Sequence, residues 1–329
     1  MPIVRLADFL RQVKHLAIKA GIPHSTLLDR SEGRQYDGAM QEQSLKHDQP
    51  LVRDISDTAR WVAYYRARET ERPDAVFRDP FASALAGERG QQIAECFEFA
   101  RRHEWAYVAR THLIDQFVYE QVVQRGIRMV VNLAAGLDTR PYRMKLPASA
   151  RWVEVDLPDI LDYKQEVLKN QKPICELEQI RLDLSDVDAR RKLFAELGSR
   201  SENALVLTEG LLIYLTTDEV GALAADVAAP QSFRRWVIDL ASPGLLQMLQ
   251  RGMNAQLSAA GARLKFGPDE GPLFFERFGW KPLDVRSILK TAARLGRLSF
   301  GMRLAALLPE SKGRQGSRPW SGICLMMRP

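Results

Sequence analysis

The chain has 329 residues, 46% of them hydrophobic and 27% charged, with a net charge of +6. That is apolar material for one large α/β domain or two small ones, and no run approaches the roughly 18 apolar residues of a membrane-spanning helix. Three scattered cysteines, Cys96, Cys175 and Cys324, argue against a disulfide framework and a zinc site and for a reducing, cytoplasmic setting, while the basic residues interleave with acidic ones and carry no nucleic-acid motif.

Residues 1–50 read as an N-terminal extension. "LADFLRQVKHLAIKA" has the pattern of a short amphipathic helix, and the polar stretch up to Pro50 reads as partly disordered linker. There is no signal-peptide h-region, and Met40 is a candidate alternative start. Residues 51–329 read as the functional domain. "SDTARWVAYYRARE" opens it as a helix with Ser56 as a cap and an acidic first turn. Pro73 and "FRDPFA" end that region. A long helix is predicted over about 101–125, with Tyr107, Thr111, Ile114, Phe117, Val118 and Val122 on one stripe and Gly126 closing it.

Strands and helices then alternate. "RMVVNLAA", "RWVEVDLP", "QIRLDLSD", "NALVLTEGLLIYL" and "RRWVIDLAS" read as strands, and Thr216 with Glu219 as a capping box at the start of a helix. This pattern predicts a mostly parallel sheet with helices on both faces. Near the end, "RLSFGMRLAALLP" and "SGICLMMRP" are spaced as a hairpin, so at least one antiparallel strand is expected.

In such a sheet, ligands bind beyond the carboxyl ends of the strands. The first strand runs into Ala134-Ala135-Gly136. Asp156, 20 residues past Gly136, ends the second and suits a ribose hydroxyl acceptor. Asp183-Leu184 ends the third, and Thr208-Glu209-Gly210 the fourth. Both NAD and S-adenosylmethionine carry adenosine, but the turn discriminates. It lacks the further glycines that let a backbone approach a pyrophosphate, and Asp138 would repel one. A cationic sulfonium ligand tolerates Asp138, and Asp183 with Leu184 suits an adenine amino group and ring. Arg110 falls on the apolar stripe of the long helix and needs an anion there: a cofactor carboxylate, or an internal partner such as Asp115 or Glu209.

"VVNLAAGLDTRPYRM", "WVEVDLPDILDYK" and "LVLTEGLLIYL" resemble the leucine carboxyl methyltransferase-like family of S-adenosylmethionine-dependent O-methyltransferases, in its bacterial branch that includes mycobacterial members. "SDTARWVAYYRARE" and "VFRDPFASALAGERG" resemble it too, so the likeness extends over about residues 52–329. The resemblance implies a class I methyltransferase fold: a Rossmann-like, seven-stranded, mostly parallel sheet with one antiparallel strand, a helical N-terminal region and a lid insertion. It implies S-adenosyl-L-methionine as cofactor. Arg110 would hold its carboxylate, Gly136 would lie under the methionine part, Asp156 would take the ribose, Asp183 and Leu184 the adenine, and Glu209 the methionine end. Many relatives have glycine where Ala134 stands, which is compatible with alanine if φ is negative there.

The acceptor is expected to be a small molecule with an apolar body, lipid- or polyketide-like, bearing a carboxylate or an acidic hydroxyl. A carboxylate is already ionised and needs no general base; a hydroxyl needs one, and none of the five histidines falls at a strand end. Tyr214 is the candidate to orient an acceptor oxygen, with a plain core role as the competing reading. Arg140 and Arg143 are candidates to grip an anionic acceptor, although a surface ion pair is the more ordinary role for Arg143. Residues 242–281, with Phe274, Phe275, Phe278 and Trp280 among glycines, suggest a lid. Two other classes stand beside this reading: an NAD-dependent oxidoreductase, and a non-catalytic S-adenosylmethionine-binding protein.

Overall fold

The computed structural model describes residues 56–259, 262–310 and 315–328. The expected N-terminal extension and Met40 lie outside them. Among the described residues four helices come first: α1 (Ser56–Glu71), α2 (Ala82–Cys96), α3 (Glu98–Arg102) and α4 (Glu104–Tyr119). Helix α4 loosens into a π turn, Glu120–Gln124, and the chain leaves it at Gly126 with φ +71°. That left-handed step is what glycine supplies at a helix end.

Strand β1 (Met129–Leu133), helix α5 (Arg140–Arg143), β2 (Arg151–Asp156), α6 (Pro158–Val167), β3 (Glu176–Arg181), α7 (Val187–Ser199), β4 (Ala204–Thr208), α8 (Thr217–Ala228) and β5 (Phe233–Ala241) follow in alternation. The Thr216–Glu219 capping box opens α8 as expected. Next come α9 (Pro243–Ala259), a 3-10 stretch Gly271–Phe278, β6 (Lys281–Ser287), α10 (Ile288–Arg294), α11 (Phe300–Ala306) and β7 (Ser321–Met327). The seven strands form one sheet in the order β3-β2-β1-β4-β5-β7-β6. β7 runs antiparallel to both its neighbours, and the other pairs are parallel. The order reverses beside β1, so the switch point opens between the ends of β1 and β4.

Every residue of β1 and β4 is buried, as expected of central strands covered on both faces. On one face Trp236 meets Trp280 and Phe275 edge-on, with centroids 5.4 Å apart in each pair. The indole N–H of Trp236 donates to Thr208 Oγ1 and that of Trp280 to the Ala224 carbonyl, so two large rings are buried with their donors satisfied. On the other face Phe117, Val130, Leu207, Val237 and Ile323 join α4 and α10 to the sheet.

Three expectations need correction. "RLSFGMRLAALLP" is not a strand: it holds helix α11, and the hairpin partner of β7 is β6. β6 is an edge strand beginning Lys281-Pro282, with alternately exposed residues, so it lacks the apolar run that marks a buried strand. The third strand starts earlier, at Glu176, and ends at Arg181, which leaves Asp183 and Leu184 in the loop beyond it. Phe274, Phe275 and Trp280 do not belong to a lid; they fill the core beneath the sheet. Within 242–281 it is α9 that lines the cavity described below, through Leu245, Met248, Leu249, Met253 and Leu257.

Candidate active site

The turn after β1 is held by the carboxylate that ends β2. The Gly136 N–H donates to Asp156 Oδ2 at 2.6 Å, and the Leu157 N–H donates to Asp156 Oδ1 at 2.7 Å. Burial pushes the Asp156 carboxyl above its ordinary value, against these two bonds. Gly136 has φ +50°. Ala134 has φ +53°, the one positive φ outside glycine among the described residues, which overturns the negative φ expected of it. An alanine in the left-handed region is strained. Ala134→Gly is therefore expected to raise stability by up to about 1 kcal/mol, or roughly 2 °C in unfolding midpoint. A lowered midpoint in a thermal melt would mean that the methyl contributes more by contact than it costs in strain.

Beyond the turn lies a buried charge cluster that spacing alone did not reveal. Arg140 is 2% exposed. Its Nε donates to Asp115 Oδ1 at 2.7 Å, and its Nη1 to Asp138 Oδ2 and Glu209 Oε2, both at 2.9 Å. Arg143 forks onto both oxygens of Asp115; it is neither a surface ion pair nor free to grip an acceptor. Asp138 also accepts from Asn132 Nδ2 at 2.9 Å, so its carboxylate is engaged within the protein and is not the open anion expected. Arg110 reaches Glu209 Oε1 at 3.0 Å and Asp239 Oδ2 at 3.5 Å. Glu209 is thus the internal partner foreseen for Arg110, and Asp115 is not.

Asp239 escaped the sequence reading. It sits near the end of β5, accepts the Gly210 N–H at Oδ1 (2.9 Å), and faces Arg110. Burial raises its carboxyl above the ordinary range even though Arg110 opposes the shift. The signal for it was present: an acid within "WVIDLA", an otherwise apolar buried strand. Altogether three guanidiniums, Arg110, Arg140 and Arg143, face four carboxylates, Asp115, Asp138, Glu209 and Asp239. One negative charge is left over, and it favours a cationic ligand.

All of these groups but Asp115 open onto a cavity of about 1240 Å³. Its wall contains Arg110, Gly136, Asp156, Asp183, Leu184, Glu209 and Tyr214 together, with Ala134, Asp239 and Gly210 between them. Gly210 has φ +68°, and a Cβ there would stand 3.5 Å from Arg110 Nη1. Asp183 Oδ1 accepts from the Ser185 N–H, which fixes the loop that carries it. The wall is also aromatic and apolar, with Trp61, Phe99, Trp105, Tyr107, Met248 and Leu257, and the Tyr107 ring centroid lies 5.5 Å from the Arg110 guanidinium carbon. Tyr107 stacks on Tyr65 at 5.0 Å and meets Trp61 edge-on at 6.0 Å. Tyr214 ends a 3-10 turn, Leu212–Tyr214, and shares a hydrogen bond with the Thr58 side chain. Burial pushes the phenols of Tyr107 and Tyr214 upward, so both are neutral donors at ordinary pH. His103 lies on the same wall, stacked on Phe99, with Nδ1 2.7 Å from the Phe99 carbonyl.

The sequence model of the leucine carboxyl methyltransferase family matches residues 59–228. A protein of Streptomyces coelicolor named as a candidate S-adenosyl-L-methionine-dependent methyltransferase is 35% identical over 253 residues, covering 73% of this chain and 87% of its own length. A similarly named protein of Mycobacteroides abscessus is 28% identical over 287 residues, covering 82% and 83%. Among solved structures, a methyltransferase candidate of Thermobifida fusca is similar with TM-score 0.54 at 14% identity, over 84% of this chain and 96% of that one. A Streptomyces avermitilis protein reaches 0.53 at 12% identity, over 81% and 97%. At such identities the likeness of the structures is one of fold.

Proposed function

Since the chain belongs to the leucine carboxyl methyltransferase family and is an S-adenosylmethionine-dependent methyltransferase, we propose that it methylates an oxygen, most readily a carboxylate, on a small acceptor with an apolar body. The observation that carries this reading is the composition of one cavity, whose wall joins the carboxylates at the strand termini to aromatic and apolar side chains.

The residues present fit the cofactor. Bound there, S-adenosylmethionine supplies an electrophilic methyl group on a sulfonium. Asp156 keeps lone pairs for two ribose hydroxyls beyond the two N–H groups it accepts. Asp183 takes the adenine amino group and Leu184 packs on the ring. Gly136 leaves room under the methionine part. Arg110 holds the methionine carboxylate, while Glu209 and Asp239 supply the negative charge that the ammonium and sulfonium need. For the acceptor, Tyr214 and Tyr107, both neutral, donate hydrogen bonds that aim an oxygen, and the apolar wall excludes water and holds the body in line.

A carboxylate acceptor needs no base, which suits a wall where Asp138, Glu209 and Asp239 are already engaged with Arg110 and Arg140. A second reading rests on His103. The Phe99 carbonyl can only accept, so Nδ1 carries a proton, and in the neutral ring it is Nε2 that has the lone pair. That is the state of a base for a phenolic acceptor. Methyl-labelled cofactor offered with straight-chain carboxylic acids and with phenols separates the two. The expected product is a base-labile ester, with efficiency rising about threefold or more per added CH₂ until the cavity is filled. Label that survives mild base and disappears in His103→Gln would transfer the assignment to a hydroxyl acceptor; acceptance of short polar acids alone would sink the apolar-body reading.

Asp239→Asn separates binding from folding. Because burial raises its folded pKa, the ionised Asp239 weighs against the fold as pH rises through that raised value, so the amide is expected to leave stability within about 1 kcal/mol or to increase it. Affinity for S-adenosylmethionine, which needs the negative charge, should fall about tenfold. In the unmodified protein the same affinity should decline with acid at a pH above 3.8, the ordinary value for this carboxyl. A calorimetric titration across pH checks both; an affinity unchanged in Asp239→Asn would remove Asp239 from the site.

A further inference from the structure

Helix α11 and the turn after it carry the four most exposed large apolar side chains of the described residues: Phe300 (78%), Leu304, Leu307 (79%) and Leu308. Their spacing of 4, 3 and 1 puts them on one helical face. Scattered single exposures are ordinary, but a contiguous stripe of this kind marks a contact surface. Leu308 and its neighbour Pro309 are exposed and also line the cavity, so the stripe borders a cavity mouth.

The stretch that carries it is basic between two acids, Asp284 and Glu310. Residues 285–309 contain five basic residues and no acid. Three of the five are committed inside the protein: Arg286 to Glu120 and Asp284, Lys290 to Glu310, and Arg297 to Glu69 and Asp74. Arg294 and Arg303 have no carboxylate partner among the described residues. Their bonds go to Thr291 Oγ1 and the Leu298 carbonyl, and both side chains belong to exposed residues. Arg303 stands three residues after Phe300 and four before Leu307, on the flank of the stripe.

An apolar helical face flanked by a guanidinium with no carboxylate partner among the described residues, that of Arg303, is the chemistry of a helix lying in a membrane interface. The apolar side chains enter the acyl boundary, and the cations meet phosphate and other anionic headgroups. No helix among the described residues is long and apolar enough to cross a membrane, so the contact is one of lying on the surface. A second copy fits less well, since two such faces related by a two-fold axis bring Arg303 toward its own counterpart. We propose that the α11 face docks on an anionic lipid bilayer and turns the cavity mouth at Leu308 toward it.

The test is flotation of the full chain with phosphatidylcholine vesicles, with and without phosphatidylglycerol. It contains neither cofactor nor acceptor, so failure of the proposed reaction leaves its result intact. The protein is expected to float with the anionic vesicles and at least about tenfold less with the neutral ones, and raised salt should release it. Phe300→Ser with Leu307→Ser, neither residue part of the cavity wall, should cut anionic-vesicle binding about tenfold with the unfolding midpoint unchanged. Arg294→Gln with Arg303→Gln should remove the preference for anionic lipid. The proposal is overturned if the protein does not float with anionic vesicles, if it binds neutral ones equally, or if the Phe300/Leu307 variant binds as before. It is also overturned if sedimentation velocity finds a dimer that this variant dissociates, which would assign the face to a second copy.

Discussion

Arg140→Met is expected to destabilise the protein by about 3–5 kcal/mol, the largest effect of any single substitution considered. The guanidinium is buried and satisfies three carboxylates at once, Asp115, Asp138 and Glu209. Methionine fills similar volume but leaves Asp138 without its facing guanidinium and takes one of two from Asp115 and Glu209, which keep only Arg143 and Arg110. Burial alone would raise the Asp138 carboxyl, yet Arg140, with Lys164 and Arg143, outweighs it and the net shift is downward; at Asp115, Arg143 and Arg140 together do the same. A carboxyl with a lowered folded pKa contributes stability above its unfolded pKa and loses it as pH falls through the folded value. In the variant those pKa values rise, so its deficit should be largest near neutral pH and shrink as the pH drops toward 4. Urea unfolding at several pH values measures this. A deficit below about 1 kcal/mol at pH 7 would show that the cluster is solvated or rearranges easily.

Asp156→Ala is expected to weaken S-adenosylhomocysteine binding by about 2–4 kcal/mol, roughly thirty- to a thousand-fold. The carboxylate acts twice in the account: its remaining lone pairs receive the ribose, and its two oxygens hold the Gly136 and Leu157 N–H groups that shape the turn. Asp156→Asn keeps one acceptor oxygen and should retain part of the affinity. If alanine and asparagine both bind like the parent protein, the ribose is held elsewhere and the assignment of this wall fails.

The elements that local chemistry determines were legible in the chain. The alternation of β1 through β5 with helices, the Thr216–Glu219 box and the glycine exit at Gly126 each depend on a few adjacent residues. Asp156 was legible because its distance from Gly136 is set by the length of one strand–helix–strand unit. The charge cluster was not. Arg140 meets Asp115 across 25 residues and Glu209 across 69, and ion-pair partners brought together only by the sheet leave no periodic trace. Asp138 looked like an open anion, and Arg143 like a surface cation, for the same reason. The left-handed Ala134 was hidden because its residue type argues against the conformation that the turn imposes. β6 was missed because an edge strand with alternate exposure carries few apolar residues, and α11 was mistaken for a strand because the exposed leucines that set it apart look, in a linear chain, like core.

The central claim is that the strand ends form a site with surplus negative charge, suited to a cationic adenosyl ligand and hostile to a pyrophosphate. Calorimetric titration of the protein with S-adenosylmethionine and, separately, with NAD tests it most directly. Micromolar binding of S-adenosylmethionine and no response to NAD are expected. Binding of NAD with equal or greater affinity, or no binding of S-adenosylmethionine, would contradict it.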